Sequence, residues 1–234
     1  MKRMVFIAVV AWAASMASAQ VSTTSKTTPL TQAEELICAL EEGVVQCSKY
    51  TVSSLHTQWQ WLNTLITQQL QQTLPALSAQ RLPVPTPFDR ERDWDMDRQY
   101  SVSEKSDYHG VVTLAFEGWD YGNGAAHGNP YVDYVVADTR SHTAITLDDL
   151  LLPRQQARVL AGLQQHNQPW LDERDMDAWP ADMKLSHNIS VDSKGVAFHY
   201  GVYELGPYIL GLPTLQLTWS QIKPMLKPQW RQRF

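Results

Sequence analysis

Two apolar runs rich in β-branched and aromatic residues, His109 to Trp119 and Tyr131 to Ala137, flank Asp120-Tyr121-Gly122-Asn123-Gly124-Ala125-Ala126-His127-Gly128-Asn129. Runs of this length and composition favour strands, and glycines that tolerate positive φ let the chain reverse between them. The pattern predicts a β-hairpin with an elaborate loop. An antiparallel sheet follows, which the other elements must extend or cover.

Further elements are legible on either side. Leu55, Trp59, Leu62, Ile66 and Leu70 recur at steps of three and four, which predicts a helix from Ser53 or Ser54 to Leu74, closed by Pro75. Thr31-Gln32-Ala33-Glu34 has the form of a capping box and predicts a short helix through Leu40, ended by Gly43. Pro83, Pro85 and Pro87 and the charged run after them predict an irregular connection over 82 to 98. Tyr100 to Glu104 reads as a strand, and Ile145-Thr146-Leu147 leads into a helical start at Leu147 to Leu151. A helix over 154 to 165 should bury Ala157, Leu160, Ala161 and Leu163. Asn188 to Val191 and Val196 to Tyr200 form a hairpin around Asp192-Ser193-Lys194-Gly195. Thr214 to Thr218 adds a strand, and Trp219 to Leu226 a closing helix before a tail at 229 to 234. Helices and strands in separate groups predict an α+β fold: an antiparallel or mixed sheet packed with a few helices. Its length fits one large domain or two small subdomains, with a helical and strand region over 32 to 119 and a second region over 120 to 228.

The N-terminus reads as an export signal. Lys2 and Arg3 precede the apolar run Met4 to Ala14, and Ala17-Ser18-Ala19 supplies the small residues a signal peptidase needs before Gln20. That run is short of the roughly 20 residues that cross a bilayer, so the expected product is a soluble periplasmic or secreted protein without a membrane anchor. Gln20 to Thr31, rich in Ser and Thr, is expected to be a flexible lead-in. In an oxidising compartment Cys38 and Cys47, the chain's two cysteines, are expected to form a disulfide. Loss of Lys2 and Arg3 shifts the formal net charge from −5 to about −7, which argues against nucleic acid or an anionic membrane and favours a basic partner.

Candidate functional residues cluster in the loops. His127, framed by glycines, suits a catalytic or metal role with Asp138 across the hairpin. His109, His142 and His199 lie on or near neighbouring strands. Yet no metal-binding spacing, nucleophile motif or cofactor motif accompanies them, and the preferred role for His127 is to hold the loop through ring hydrogen bonds. Glu117, Asp120, Asp133 and Glu204 are candidates for a paired-carboxylate glycosidase, with nothing in their spacing to select two. Tyr203, Pro207 and Tyr208 have the character of rigid recognition anchors or of turn residues. Trp94, among acidic residues, is a candidate contact for a basic partner. Trp119, Trp170 and Trp179 are near loops that could meet a glycan or a protein.

The order of motifs resembles a known family. Ala126-His127-Gly128-Asn129, Asp138, Leu147-Asp148-Asp149-Leu150, Gly195-Val196-Ala197-Phe198 and Tyr203-Glu204-Leu205-Gly206-Pro207-Tyr208 with Gly211 follow one another as in the C-terminal domain of RsiV-type extracytoplasmic proteins. The resemblance covers about 120 to 228. It implies a binding protein of the bacterial envelope rather than an enzyme, and lysozyme as the partner to be bound or inhibited. An envelope hydrolase acting on glycan or ester bonds, and a structural envelope protein, stand as the alternatives.

Overall fold

The computed structural model describes residues 27–29, 33–41, 44–74, 81–88 and 93–234. The export signal, Thr31 of the expected capping box, Gly43 and the charged residues 89 to 92 lie outside them. Strands β1 (Thr27–Pro29) and β4 (Leu55–Thr57) pair with each other. A six-stranded mixed sheet runs β2 (Ala33–Glu41), β3 (Val44–Ser53), β5 (Met96–Tyr108), β6 (Val111–Gly122), β7 (Asn129–Asp138) and β8 (Thr143–Ile145). Neighbours are antiparallel except β3 and β5. Helix α1 (Gln60–Thr73) packs on one face through Leu62 and Ile66. Helices α2 (Leu147–Leu150), α3 (Gln156–His166) and α4 (Gln168–Asp172) follow the sheet. The chain then forms a three-stranded antiparallel sheet of β9 (Ile189–Val191), β10 (Gly195–His199) and β11 (Thr214–Thr218), and ends in α5 (Trp219–Ile222) and α6 (Pro228–Arg233). The α+β class expected from the sequence is what forms.

Two apolar clusters meet along β6. Val112, Leu114 and Phe116 join Tyr50, Tyr100 and the α1 side chains, whereas Val111 belongs with Val159, Leu163, Phe198, Leu217 and Trp230. Between them Thr113, fully buried, donates its hydroxyl to the Val191 carbonyl at 2.9 Å and accepts from the Val191 amide at 3.1 Å. This polar stitch fastens the small sheet to the large one. Residue 120, where the second region was expected to begin, lies inside β6.

Several local expectations are corrected. The stretch expected as a helix through Leu40 is strand β2, although it is rich in helix formers; pairing with β3 overrides a weak local propensity. Thr27 to Pro29, expected to be flexible, pairs with β4. The helical stripe begins later than its period suggests, at Gln60, because Leu55 faces inward from β4. Asn63 fixes this strand-to-helix corner, accepting from the Thr57 amide at 2.8 Å and donating to its carbonyl at 3.0 Å. In α3 the buried residues are Val159 and Leu163, while Ala157 and Ala161 are exposed. His109 is not in a strand: with Gly110 it makes the β5–β6 turn, both at positive φ (53° and 75°), as a two-residue hairpin turn requires. The expected tail is helix α6, with Trp230 buried.

Cys38 and Cys47 stand directly opposite each other on β2 and β3, with Cα atoms 4.0 Å apart, and are joined as a disulfide. The loop it closes spans a sequence separation of 9, for which chain entropy gives about 2–3 kcal/mol of stabilisation. Replacing both cysteines by serine should lower the urea unfolding free energy by about that amount, and mature wild-type protein measured under reducing conditions should match the variant.

Candidate functional site

The β6–β7 loop and the segment from Gly201 to Pro213 meet at one end of the molecule. His127 is exposed on the first of these; its ring stacks on Tyr208 from the second with centroids 4.0 Å apart, and Tyr203 lies 5.8 Å from Tyr208. The Tyr208 hydroxyl donates to the Gly128 carbonyl at 2.7 Å, and His127 Nδ1 lies 3.0 Å from the same oxygen. The two loops are thereby pinned to a single buried carbonyl. Gly128 is required there, because a Cβ would lie 2.3 Å from the Trp119 ring.

On this base the outward side chains form an aromatic and apolar tip. Tyr203 is 61% exposed and held at φ 69°, a conformation that non-glycine residues adopt at a cost. Glu204 Oε2 accepts the Gly201 amide at 2.9 Å and so closes the turn. Pro207 is exposed and leads into a single 3-10 turn, Tyr208–Leu210, from which Ile209 projects at 89% exposure. Ile209 was missed by sequence reasoning. No sequence signal separates it from Leu210, its half-buried neighbour; the direction of the turn alone exposes Ile209.

The structure thus brings His127, Tyr203, Pro207 and Tyr208 together. Asn129 is exposed at the start of β7, opposite Asp120. Trp94 is elsewhere: it is half-buried at the base of the hairpin loop, its ring 6.1 Å from Tyr121 and under Lys49 Nζ at 4.6 Å. Trp119 and Tyr121 stack at 5.6 Å and connect that region to Gly128.

The candidate catalytic sets are dispersed. Asp138 closes the far end of β7 from His127, where it is paired with Arg233, so the expected contact across the hairpin is not made. His109 and His142 occupy turns at positive φ, and His199 is buried between Thr214 and Ser190. Among the described residues no group of three or more His, Cys, Asp or Glu is placed to hold a metal. Glu117 lies on the opposite face of the sheet from Asp120 and Asp133. Those two sit four positions apart along the β6–β7 ladder, roughly 13 Å at strand rise and wider than either glycosidase geometry. Burial raises the Asp120 carboxyl against the lowering effect of Arg98 and of its hydrogen bond with Tyr131; burial also raises Tyr131, whose ring lies across Gly118. This half-buried cluster lies on the α1-facing side of the sheet, with Tyr131 packed against the core there.

Fold and site define a class: a disulfide-bonded α+β scaffold that holds an exposed aromatic tip on two pinned loops. Among the described residues no helix is long and apolar enough to cross a membrane. Residues 141–220 match the family model described as "Protein of unknown function (DUF3298)", within the segment on which the sequence resemblance was drawn. The fold is similar to the crystal structure of a DUF3298 family protein from Pseudomonas aeruginosa PAO1, at TM-score 0.68 and 20% identity, covering 88% of this chain and 96% of that one. It is also similar to a DUF3298 family member from Bacteroides fragilis NCTC 9343, at TM-score 0.64 and 12% identity, covering 87% and 94%. No curated protein matches the chain.

Proposed function

We propose that this chain is an exported binding protein of the bacterial envelope, of RsiV type, and that its tip engages a basic cell-wall-active protein, lysozyme. The observation that carries this reading is the tip: Tyr203, Pro207 and Ile209 stand exposed on a base fixed by Tyr208, His127 and the Gly128 carbonyl. Exposed aromatic and apolar side chains that are already ordered lose little entropy on binding. The acidic chain adds electrostatic steering toward a cationic partner.

The test is to titrate the mature protein with several lysozymes, following complex formation and residual muramidase activity. A saturable complex that depresses activity is expected, weakening as salt rises. The double variant Tyr203→Ala/Ile209→Ser should weaken it about thirtyfold, the effect of losing hot-spot contacts worth about 2 kcal/mol. No complex at high micromolar concentration would overturn lysozyme as the partner.

A further inference from the structure

The face of the six-stranded sheet turned away from α1 is covered by the small sheet around Thr113, but over β3, β5 and β6 it holds a cleft of about 260 Å³. Strand alternation assembles it. Thr51 is in register with Gln99 and Ser53 with Ser101, and these pair onward with Trp119 and Glu117. All six side chains are partly or fully accessible. Trp119 is held rigidly, with Tyr121 stacked beside it and Gly128 against its ring edge.

The chemistry of this lining selects among ligands. Hydroxyls, a carboxamide and a carboxylate offer donors and acceptors side by side, so an apolar ligand would strand them without partners. An anion would confront Glu117, and the nearby Lys105 is engaged by that carboxylate at 3.0 Å. A sugar ring satisfies both halves of the lining: its hydroxyls exchange hydrogen bonds with the polar groups while its flat C–H face lies on an indole. The volume suits a ring of that size, with an open sheet surface for adjoining units. We infer that this cleft binds a neutral oligosaccharide, with one ring against Trp119 and hydroxyls on Gln99, Ser101 and Glu117. The site is distinct from the aromatic tip and does not depend on what the tip binds.

Titrating the mature protein with cellotetraose and with tetra-N-acetylchitotetraose, followed by tryptophan fluorescence and saturation-transfer NMR, tests the inference. Saturable binding of at least one sugar is expected, weakened about tenfold by Gln99→Ala and by Glu117→Ala, each losing a hydrogen bond to the ligand, and unchanged by Tyr203→Ala. Binding of the N-acetylated sugar alone would mark a cell-wall type of glycan, and binding of cellotetraose an unsubstituted β-glucan. Gln99 is exposed, so its variant keeps the fold, which an unchanged unfolding midpoint verifies. Failure of both sugars to saturate at about 10 mM, a very weak interaction, would overturn the site. So would binding that both cleft variants leave intact, or that Tyr203→Ala abolishes.

Discussion

Replacing Arg233 with alanine is expected to cost about 3–5 kcal/mol of folding stability, read as a large drop in the urea midpoint at an unchanged slope. Arg233 Nη2 lies 2.7 Å from Asp138 Oδ1, and the two side chains are only 7% and 9% exposed. The same guanidinium donates to the His109 carbonyl at 2.9 Å and the Gly110 carbonyl at 2.7 Å, tying α6 to the β5–β6 turn. Asp138 also accepts from the Arg140 amide at 2.9 Å and the Ser141 hydroxyl at 3.1 Å. Removing the guanidinium therefore leaves a buried carboxylate short of its counter-charge and the His109 carbonyl short of a donor, while the Gly110 carbonyl keeps the Thr139 amide and hydroxyl. The double variant Arg233→Ala/Asp138→Ala should recover part of the loss, since it removes the stranded charge. A loss below about 1 kcal/mol, the range of a solvated surface pair, would refute the account. Burial alone would raise the Asp138 carboxyl, but hydrogen bonds from Arg233, Arg140 and Ser141 and the guanidinium charge together hold it below the usual range. That contribution is present above the unfolded carboxylate value and fades as pH falls through the folded one.

Acidification from about pH 6.5 to about pH 4 should remove about 3 kcal/mol of stability through His199 alone. Burial pushes this imidazole down to about 4. It lies against the Tyr134 ring at 3.8 Å, with Nδ1 3.0 Å from the Thr214 hydroxyl and Nε2 2.8 Å from the Ser190 hydroxyl. Neither nitrogen meets a carboxylate. The sign follows: the unfolded histidine takes up a proton through pH 6.5 while the folded one stays neutral until about 4, so protons favour unfolding across that window. Asp120 and Asp133, raised chiefly by burial, act in the opposite sense, because their folded carboxyls hold protons more tightly than the unfolded ones. Comparing urea midpoints of wild type and His199→Gln at several pH values separates the terms. The variant should lose most of the decline between pH 6.5 and 4; parallel curves would rule the histidine out.

The hairpin of β6 and β7, the β9–β10 hairpin, β11 and the body of α1 were legible because each carries its own period and its own turn residues. The cross-strand disulfide was legible too, from two cysteines in a chain that reads as exported. The rest depended on partners distant in sequence. Leu36, Ile37 and their neighbours sit among helix formers, and only pairing with β3 makes them a strand. His109 and Gly110 read as the start of an apolar run until the ladder register makes them a turn.

The candidate site divides in the same way. That His127, Tyr203, Pro207 and Tyr208 are recognition-type residues in glycine-framed loops is a property of the amino-acid string. Their meeting at one carbonyl is a property of the fold, since the Tyr208 hydroxyl reaches 80 positions along the chain to Gly128. Arg233, 123 positions from Gly110 and placed by local pattern in a tail, owes its importance wholly to that long-range closure. The cleft residues are likewise unremarkable in sequence, and register across β3, β5 and β6 alone sets them side by side. Local periodicity and turn chemistry are written into neighbouring residues; which loops touch, and which charges are buried together, is decided only when the sheets pack.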